Sequence, residues 1–214
     1  MIVGGGLIAR AMVNSAHADG WVLFASGVSN SQETNEEEYN REEGLLKHYL
    51  QFKGKFVYIS SVSSAKSRYV KHKRKMESVI RDATNDFIII RVQQIVGDGG
   101  NSTNLVPYFK NKILKEEKIT LYSGACRALI DVDDLVKVMD RLNNGLYYFT
   151  HVEYLDVTTI VNLIAKKLNK KVRYKKIQSE QEPIVANSLL VDKAIRELNI
   201  DKTDYTERLI NKYL

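Results

Sequence analysis

A single cysteine, Cys126, is all the thiol chemistry in this 214-residue chain, so no disulfide can close within it. No apolar run approaches the roughly 20 residues that a membrane-spanning helix needs. The N-terminal stretch does not resemble a secretory signal and looks like a core strand. His17, His48, His72 and His151 are scattered without metal-ligand spacing, which leaves them surface or packing roles. Internal repeats and low-complexity segments are also missing. These absences point away from disulfide scaffolds, membrane spans, metal sites and repeat arrays. The expectation is a soluble, cytoplasmic protein with no metal and no membrane partner.

Against these absences, 44% of the residues are hydrophobic, enough for one globular domain, or for one domain with a small lobe. The net charge is +6. Its densest run is Lys71-His72-Lys73-Arg74-Lys75, while Glu36–Glu38 form an acidic patch. A solvated surface is the plain reading of such charge, and nucleotide phosphates are the next. Base-stacking aromatics do not accompany the basic run, so no nucleic-acid partner is expected.

The apolar pattern alternates between short buried runs and helical stretches. Strands are expected at 1–3, 21–25, 56–59 and 87–92, with helices at 7–18, 35–52 and 68–83. Such alternation predicts an α/β fold, a parallel sheet covered by helices, whose ligands bind at the carboxyl ends of the strands. The polar and glycine-rich segments fall at those ends. Further on, helices are expected at 105–114, 131–142 and 157–168, strands at 118–122, 146–149 and 171–174, and short helices from Val191.

Two local patterns carry chemistry. Gly4-x-Gly6-x-x-Ala9 follows a strand and opens a helix. Glycines there permit a tight turn and close approach of a pyrophosphate to backbone N–H groups, and the small third residue lets helix and strand pack. Tyr69-x-x-x-Lys73 puts a phenol and an ammonium on one helix face. A nearby ammonium lowers a phenol's pKa, and a serine hydroxyl from 60–61 opposite would hold a substrate oxygen. Spacing alone favours the plainer reading, a half-buried tyrosine and a solvated lysine. Asp131, Asp133 and Asp134 read as helix-capping residues. Cys126, beside Arg127, reads as a small packed residue.

Taken in order, these segments resemble the NAD-dependent epimerase/dehydratase family, the extended or atypical short-chain dehydrogenases. The resemblance rests on Gly4–Ala9, Phe24–Ser29, Tyr58–Ser61, Tyr69-x-x-x-Lys73-x-x-x-Glu77, Ile90–Gly97, Asn104–Pro107 and Arg127–Asp134. It implies a Rossmann-like parallel sheet with helices on both faces and a small C-terminal substrate lobe. It also implies NAD or NADP as cofactor, held by Gly4, Gly6, Leu7, Ile8, Ala25, Ser26, Gly27 and Lys73. Ser61, Tyr69 and Lys73 would be catalytic, and Asn104 and Arg127 would bind substrate. Lys73 would lower the Tyr69 pKa and hold the nicotinamide ribose.

The chain departs from the family pattern in two places. Its first helix leads straight to 21–25, which resembles the family's fourth strand, so the second and third strands and the acidic ribose ligand are expected to be lacking. Ser61 also stands closer to Tyr69 than usual, which leaves Ser63 and Ser64 as alternatives in the compressed loop. Residues 1–95 are expected to form a truncated dinucleotide-binding core, and 96–214 a mixed substrate lobe with segments returning to it. The function implied is an NAD(P)-dependent oxidoreductase or epimerase acting on a nucleotide-activated sugar, in surface polysaccharide biosynthesis, with a homodimer as the assembly considered. The alternative is a non-catalytic dinucleotide- or sugar-nucleotide-binding protein.

Overall fold

Short β-rich apolar runs separated by helix-length segments become a layered α/β structure. The computed structural model describes residues 1–178 and 185–214. Its first half contains β1 (Ile2–Val3), α1 (Leu7–Met12), β2 (Val22–Phe24), α2 (Glu36–Tyr49), β3 (Phe56–Ser61), α3 (Arg68–Ala83) and β4 (Phe87–Val92). There follow β5 (Gln94–Val96), α4 (Leu105–Leu114), β6 (Ile119–Ser123), β7 (Cys126–Arg127), β8 (Leu129–Asp131) and α5 (Val132–Met139). The rest comprises β9 (Gly145–Phe149), β10 (Leu155–Asp156), α6 (Val157–Lys167), β11 (Tyr174–Gln178), α7 (Leu189–Glu197) and α8 (Tyr205–Tyr213).

The central sheet has five parallel strands in the order β1-β2-β3-β4-β9, a Rossmann-type sheet with flanking helices. Period-two alternation sends side chains to opposite faces. Leu23, Val57, Ile88 and Ile90 face one core with Met12 of α1 and Leu135 and Val138 of α5. Phe24, Tyr58 and Ile89 face the other, against Leu46 of α2 and Met76 and Ile80 of α3. Burying each such side chain contributes about 1.5–3 kcal/mol. Because α1 and α2 lie on opposite faces while the chain steps in one direction from β1 to β4, the β1–α1–β2 crossover has the opposite hand to the two that follow.

Most element boundaries fall where the apolar pattern places them, and two corrections are instructive. The first helix stops at Met12 instead of running to 18. Asp140 captures the chain there, accepting from the Ser15 hydroxyl at 2.6 Å and from the Ala16 N–H at 2.8 Å, while Ser15 Oγ accepts from the His17 N–H at 3.1 Å. The strand expected at 171–174 lies instead at Tyr174–Gln178, paired in parallel with β6. All five of its residues are exposed, so no burial alternation marks its register.

The capping reading of the acidic cluster holds. Asp131 Oδ1 accepts from the Asp133 N–H at 2.9 Å at the start of α5. The same carboxylate receives Lys212 Nζ on Oδ2 at 2.9 Å and the Tyr213 hydroxyl on Oδ1 at 2.8 Å, tying α8 to the same helix start.

Candidate active site

The carboxyl ends of β1 to β4 open into one cleft of about 1250 Å³. Every residue singled out for a site, apart from Gly4, lines it: Gly6, Leu7 and Ile8 from the glycine turn, Ala25, Ser26 and Gly27 after β2, and Ser61, Tyr69, Lys73, Asn104 and Arg127. Gly4 stands just behind. Its φ of +123° suits glycine, and a Cβ there would lie 2.7 Å from the Ala25 carbonyl oxygen. A Cβ on Gly6 would meet no protein atom within 4 Å. The turn thus leaves open space where a phosphate group fits. Arg10 reaches across it, donating to the carbonyls of Gly5 at 2.9 Å and Asp98 at 2.8 Å. Those bonds engage the guanidinium with backbone on both sides of the turn.

Helix α3 supplies the titratable groups. Ser67 caps it, accepting from the Val70 N–H at 3.2 Å. Tyr69 and Lys73 share the cleft-facing side, with the Lys73 Nζ 5.7 Å from the Tyr69 ring centroid. Lys73 is 3% exposed and bonds to the fully buried Glu42 of α2 at 3.1 Å. Glu42 also accepts from the Tyr58 hydroxyl at 2.6 Å and the Val28 N–H at 2.7 Å. His72 Nε2 lies 3.2 Å from the same carboxylate but without hydrogen-bond alignment. Burial opposes ionisation of Glu42, yet Lys73, His72, Tyr58 and the Val28 amide outweigh it and bring the carboxyl down to about 2. Burial also pulls Lys73 below its ordinary value, against the opposing pull of Glu42 and Glu77.

This pairing corrects the expected electrostatics of Tyr69. The phenol is pushed up to about 12, first by burial and then by Glu42 and Tyr39, with Arg74 pulling the other way. The ammonium that was to lower it is turned to a carboxylate.

A second buried carboxylate organises the serine loop. Glu77, one turn beyond Lys73, accepts from Ser60 Oγ at 2.5 Å, from Arg74 at 2.7 Å and from Arg91 Nε at 2.9 Å. Arg74 also donates to the carbonyls of Ser61 at 2.9 Å and Ser63 at 3.1 Å. Ser60 is thereby committed to the interior, while Ser61, Ser63 and Ser64 line the cleft. Among the described residues, Ser61 Oγ accepts only a long bond from the Ser63 N–H, at 3.2 Å. Asn104 stands at the start of α4, and Arg127 on β7 donates to the Cys126 carbonyl at 2.7 Å.

Sequence reasoning passed over Glu42 and gave Glu77 no role. A signal existed for both. Glu42 falls between Tyr39 and Leu46 on the buried stripe of α2, and Glu77 continues the four-residue spacing of Tyr69 and Lys73. Charged residues on a buried stripe require partners.

Residues 53–145, which contain β3, α3, β4 and α5, match the model of the NAD dependent epimerase/dehydratase family. The match covers 93 of the 214 residues. No curated protein matches the chain by sequence. Among solved structures, it is similar in fold to Bordetella bronchiseptica WbmH in complex with NAD+, at 15% identity and a TM-score of 0.71, over 99% of this chain and 80% of that one. It is similar to Bacillus anthracis dTDP-4-dehydrorhamnose reductase in complex with NADP, at 15% identity and a TM-score of 0.69, over 96% and 84%. Thermus thermophilus UDP-glucose 4-epimerase in complex with NAD matches at 15% identity and a TM-score of 0.67, over 90% and 76%. The glycine turn, the loop after β2 and helix α3 of the present chain surround one cleft.

Proposed function

We propose that the protein is an NAD(P)-dependent oxidoreductase or epimerase acting on a nucleotide-activated sugar. The observation that carries this reading is the single cleft in which an open glycine turn, a serine loop and the Tyr69–Lys73 pair converge. The dinucleotide fits at the Gly4–Gly6 turn, at the loop 25–27 and beside Lys73. When bound it would supply or accept a hydride. Tyr69 then moves the proton at the sugar oxygen, Ser61 orients that oxygen, and Arg127 and Asn104 bind the nucleotide end of the substrate. The sugar-nucleotide enzymes named above support the substrate class by fold, and a role in surface polysaccharide biosynthesis follows from that class.

We read the sheet as a dinucleotide-binding sheet without its second and third strands, and 96–214 as the substrate lobe. The odd hand of β1–α1–β2 supports this, because about 98% of parallel crossovers are right-handed. A helix after β1 has the normal hand when it leads outward to further strands on the far side of β1. With those strands goes the acidic ribose ligand. Losing one charge-assisted hydrogen bond costs about 1.5–3 kcal/mol. The dissociation constant for free NAD(P) is therefore expected to be about ten- to a hundredfold weaker than in a complete site.

Calorimetric titration with NAD, NADH, NADP and NADPH measures this directly. Trp21 is a poor fluorescent reporter, since it precedes β2 at the end away from the cleft and stacks on His17. In the same assay Gly6→Val is expected to abolish dinucleotide binding while the protein stays folded, because the side chain would fill the open space of the turn. Unchanged affinity in folded Gly6→Val would remove the dinucleotide from this turn. If sugar nucleotides bind but none reacts, the non-catalytic reading replaces the enzyme.

A further inference from the structure

The Lys73–Glu42 pair is built into the cleft with unusual care. Both Glu42 oxygens are matched: Oε1 by the Tyr58 hydroxyl at 2.6 Å and Lys73 at 3.1 Å, and Oε2 by the Val28 amide at 2.7 Å. The loop after β2 passes so close that a Cβ on Gly27 would lie 2.6 Å from Lys73 Nζ and 2.8 Å from Glu42 Oε1. Neither side chain can swing into that space without meeting the loop backbone. Nothing in general acid/base work by a tyrosine and a lysine requires a carboxylate at this place, and burying one is costly unless it has a task or a full set of partners.

We propose that Glu42 is a positioning residue for this site, anchoring the Lys73 ammonium on the α2 side of the cleft and cancelling the charge that Lys73 would otherwise present to Tyr69. The inference rests on the function proposed above for its chemical meaning, though not for its electrostatics. Opposite unit charges 3.1 Å apart act on a ring whose centroid is 5.7 Å from the ammonium as a dipole, whose field falls faster than that of a lone charge. The other groups facing Tyr69 are Tyr39 on α2, Arg74 on α3 itself and Tyr58 on β3. His72 faces Glu42, and Glu77 faces Lys73. Within this set Tyr69 holds its proton, in line with its upward shift to about 12.

The consequence is directional. A neutral phenol is ready to give a proton. In carbonyl reduction a hydride from a reduced nicotinamide dinucleotide bonds to the carbonyl carbon. The C=O π pair takes the Tyr69 proton, and the products are an alcohol, the oxidised dinucleotide and a phenolate. Oxidation of an alcohol must start from the phenolate, which is scarce here at neutral pH.

The test needs neither cofactor nor substrate. In the full-length protein, Tyr69 is titrated by NMR of tyrosine labelled at Cζ, with Tyr69→Phe assigning its signal. Tyr69 is expected to remain a phenol through about pH 11, above the ordinary value near 10. In Glu42→Gln its midpoint is expected to fall by about one pH unit or more, the usual effect of an opposite charge within 4–6 Å once it is no longer cancelled. A wild-type midpoint at or below about 10 overturns the proposal. So does a folded Glu42→Gln whose Tyr69 titrates as in the wild type. If Glu42→Gln does not fold, the charge-free pair Glu42→Gln/Lys73→Met decides: a Tyr69 midpoint near that of the wild type is expected if the two charges cancel, and a midpoint displaced by about a pH unit or more overturns the proposal. Failure of the dinucleotide to bind by calorimetry would sink the enzymatic reading and leave the titration result standing, so the two can fail separately.

Discussion

Tyr69→Phe is expected to lower turnover by about 10²- to 10⁴-fold, the usual contribution of a positioned proton-transfer group. Among the described residues the Tyr69 hydroxyl makes no hydrogen bond, and its ring contact with Lys73 survives in phenylalanine. Folding and dinucleotide affinity should therefore stay close to wild type, with the loss confined to the chemical step. The measurement is nicotinamide absorbance with product analysis over a panel of nucleotide sugars, since an epimerase regenerates its cofactor and is silent in absorbance alone. Turnover of an active substrate by Tyr69→Phe at the wild-type rate would refute the mechanism. Lys73→Ala, the obvious companion, is a poorer probe than sequence suggested. It leaves the Glu42 carboxylate buried without its ammonium, so loss of fold and loss of activity arrive together.

The largest structural effect is expected from Glu77→Ala. Glu77 is fully buried and bonds to Ser60, Arg74 and Arg91, so its removal takes the anionic acceptor from a buried hydroxyl and two guanidinium groups, which keep only neutral partners. Breaking a buried pair costs about 3–5 kcal/mol. Arg74 and Arg91 retain 31% and 16% side-chain exposure, which places the expected loss near the lower bound, about 3 kcal/mol. For a chain of this size that is about 6–12 °C in Tm by calorimetry. The same network sets the response to acid. Burial would raise Glu77, but Arg91, Ser60 and Arg74 outweigh it and hold the carboxyl below the usual range. Glu42 lies lower still, at about 2. Both are depressed in the folded state, so their contribution is complete above the ordinary carboxylate value of 4.5 and drains away as pH falls from there towards about 2. Glu77→Ala should flatten that acid slope. A variant with wild-type Tm and wild-type acid slope would contradict the role assigned to this carboxylate.

How much of this was legible beforehand depends on the range over which each feature is decided. Helix α3 and strand β4 lie where their own periodicity puts them, because their apolar residues and the Ser67 cap are local. The neighbourhood of Tyr69 and Lys73 follows from helical spacing and needs no tertiary information. The stop of α1 was invisible because Asp140, more than a hundred residues away, imposes it. Strand β11 has no buried face to write a pattern. The Tyr69 electrostatics were misread for a related reason: spacing reveals that Lys73 is near, but only the packing of α2 on α3 reveals that Glu42 claims it.

Helix α3 has one more consequence. Along a single rigid segment it carries the Tyr69 phenol, the Lys73 ammonium, the guanidinium that grips the carbonyls of Ser61 and Ser63, and the carboxylate that fixes that guanidinium. Mechanically, the site has few independent parts. A bound molecule or a neighbouring mutation that tilts α3 by a fraction of an ångström carries donor, counter-charge and serine loop along together, so their mutual alignment is preserved while their distance from the glycine turn changes. Tolerance to disturbance is therefore expected to be high within the helix-borne group and low across the gap between that group and the turn after β1.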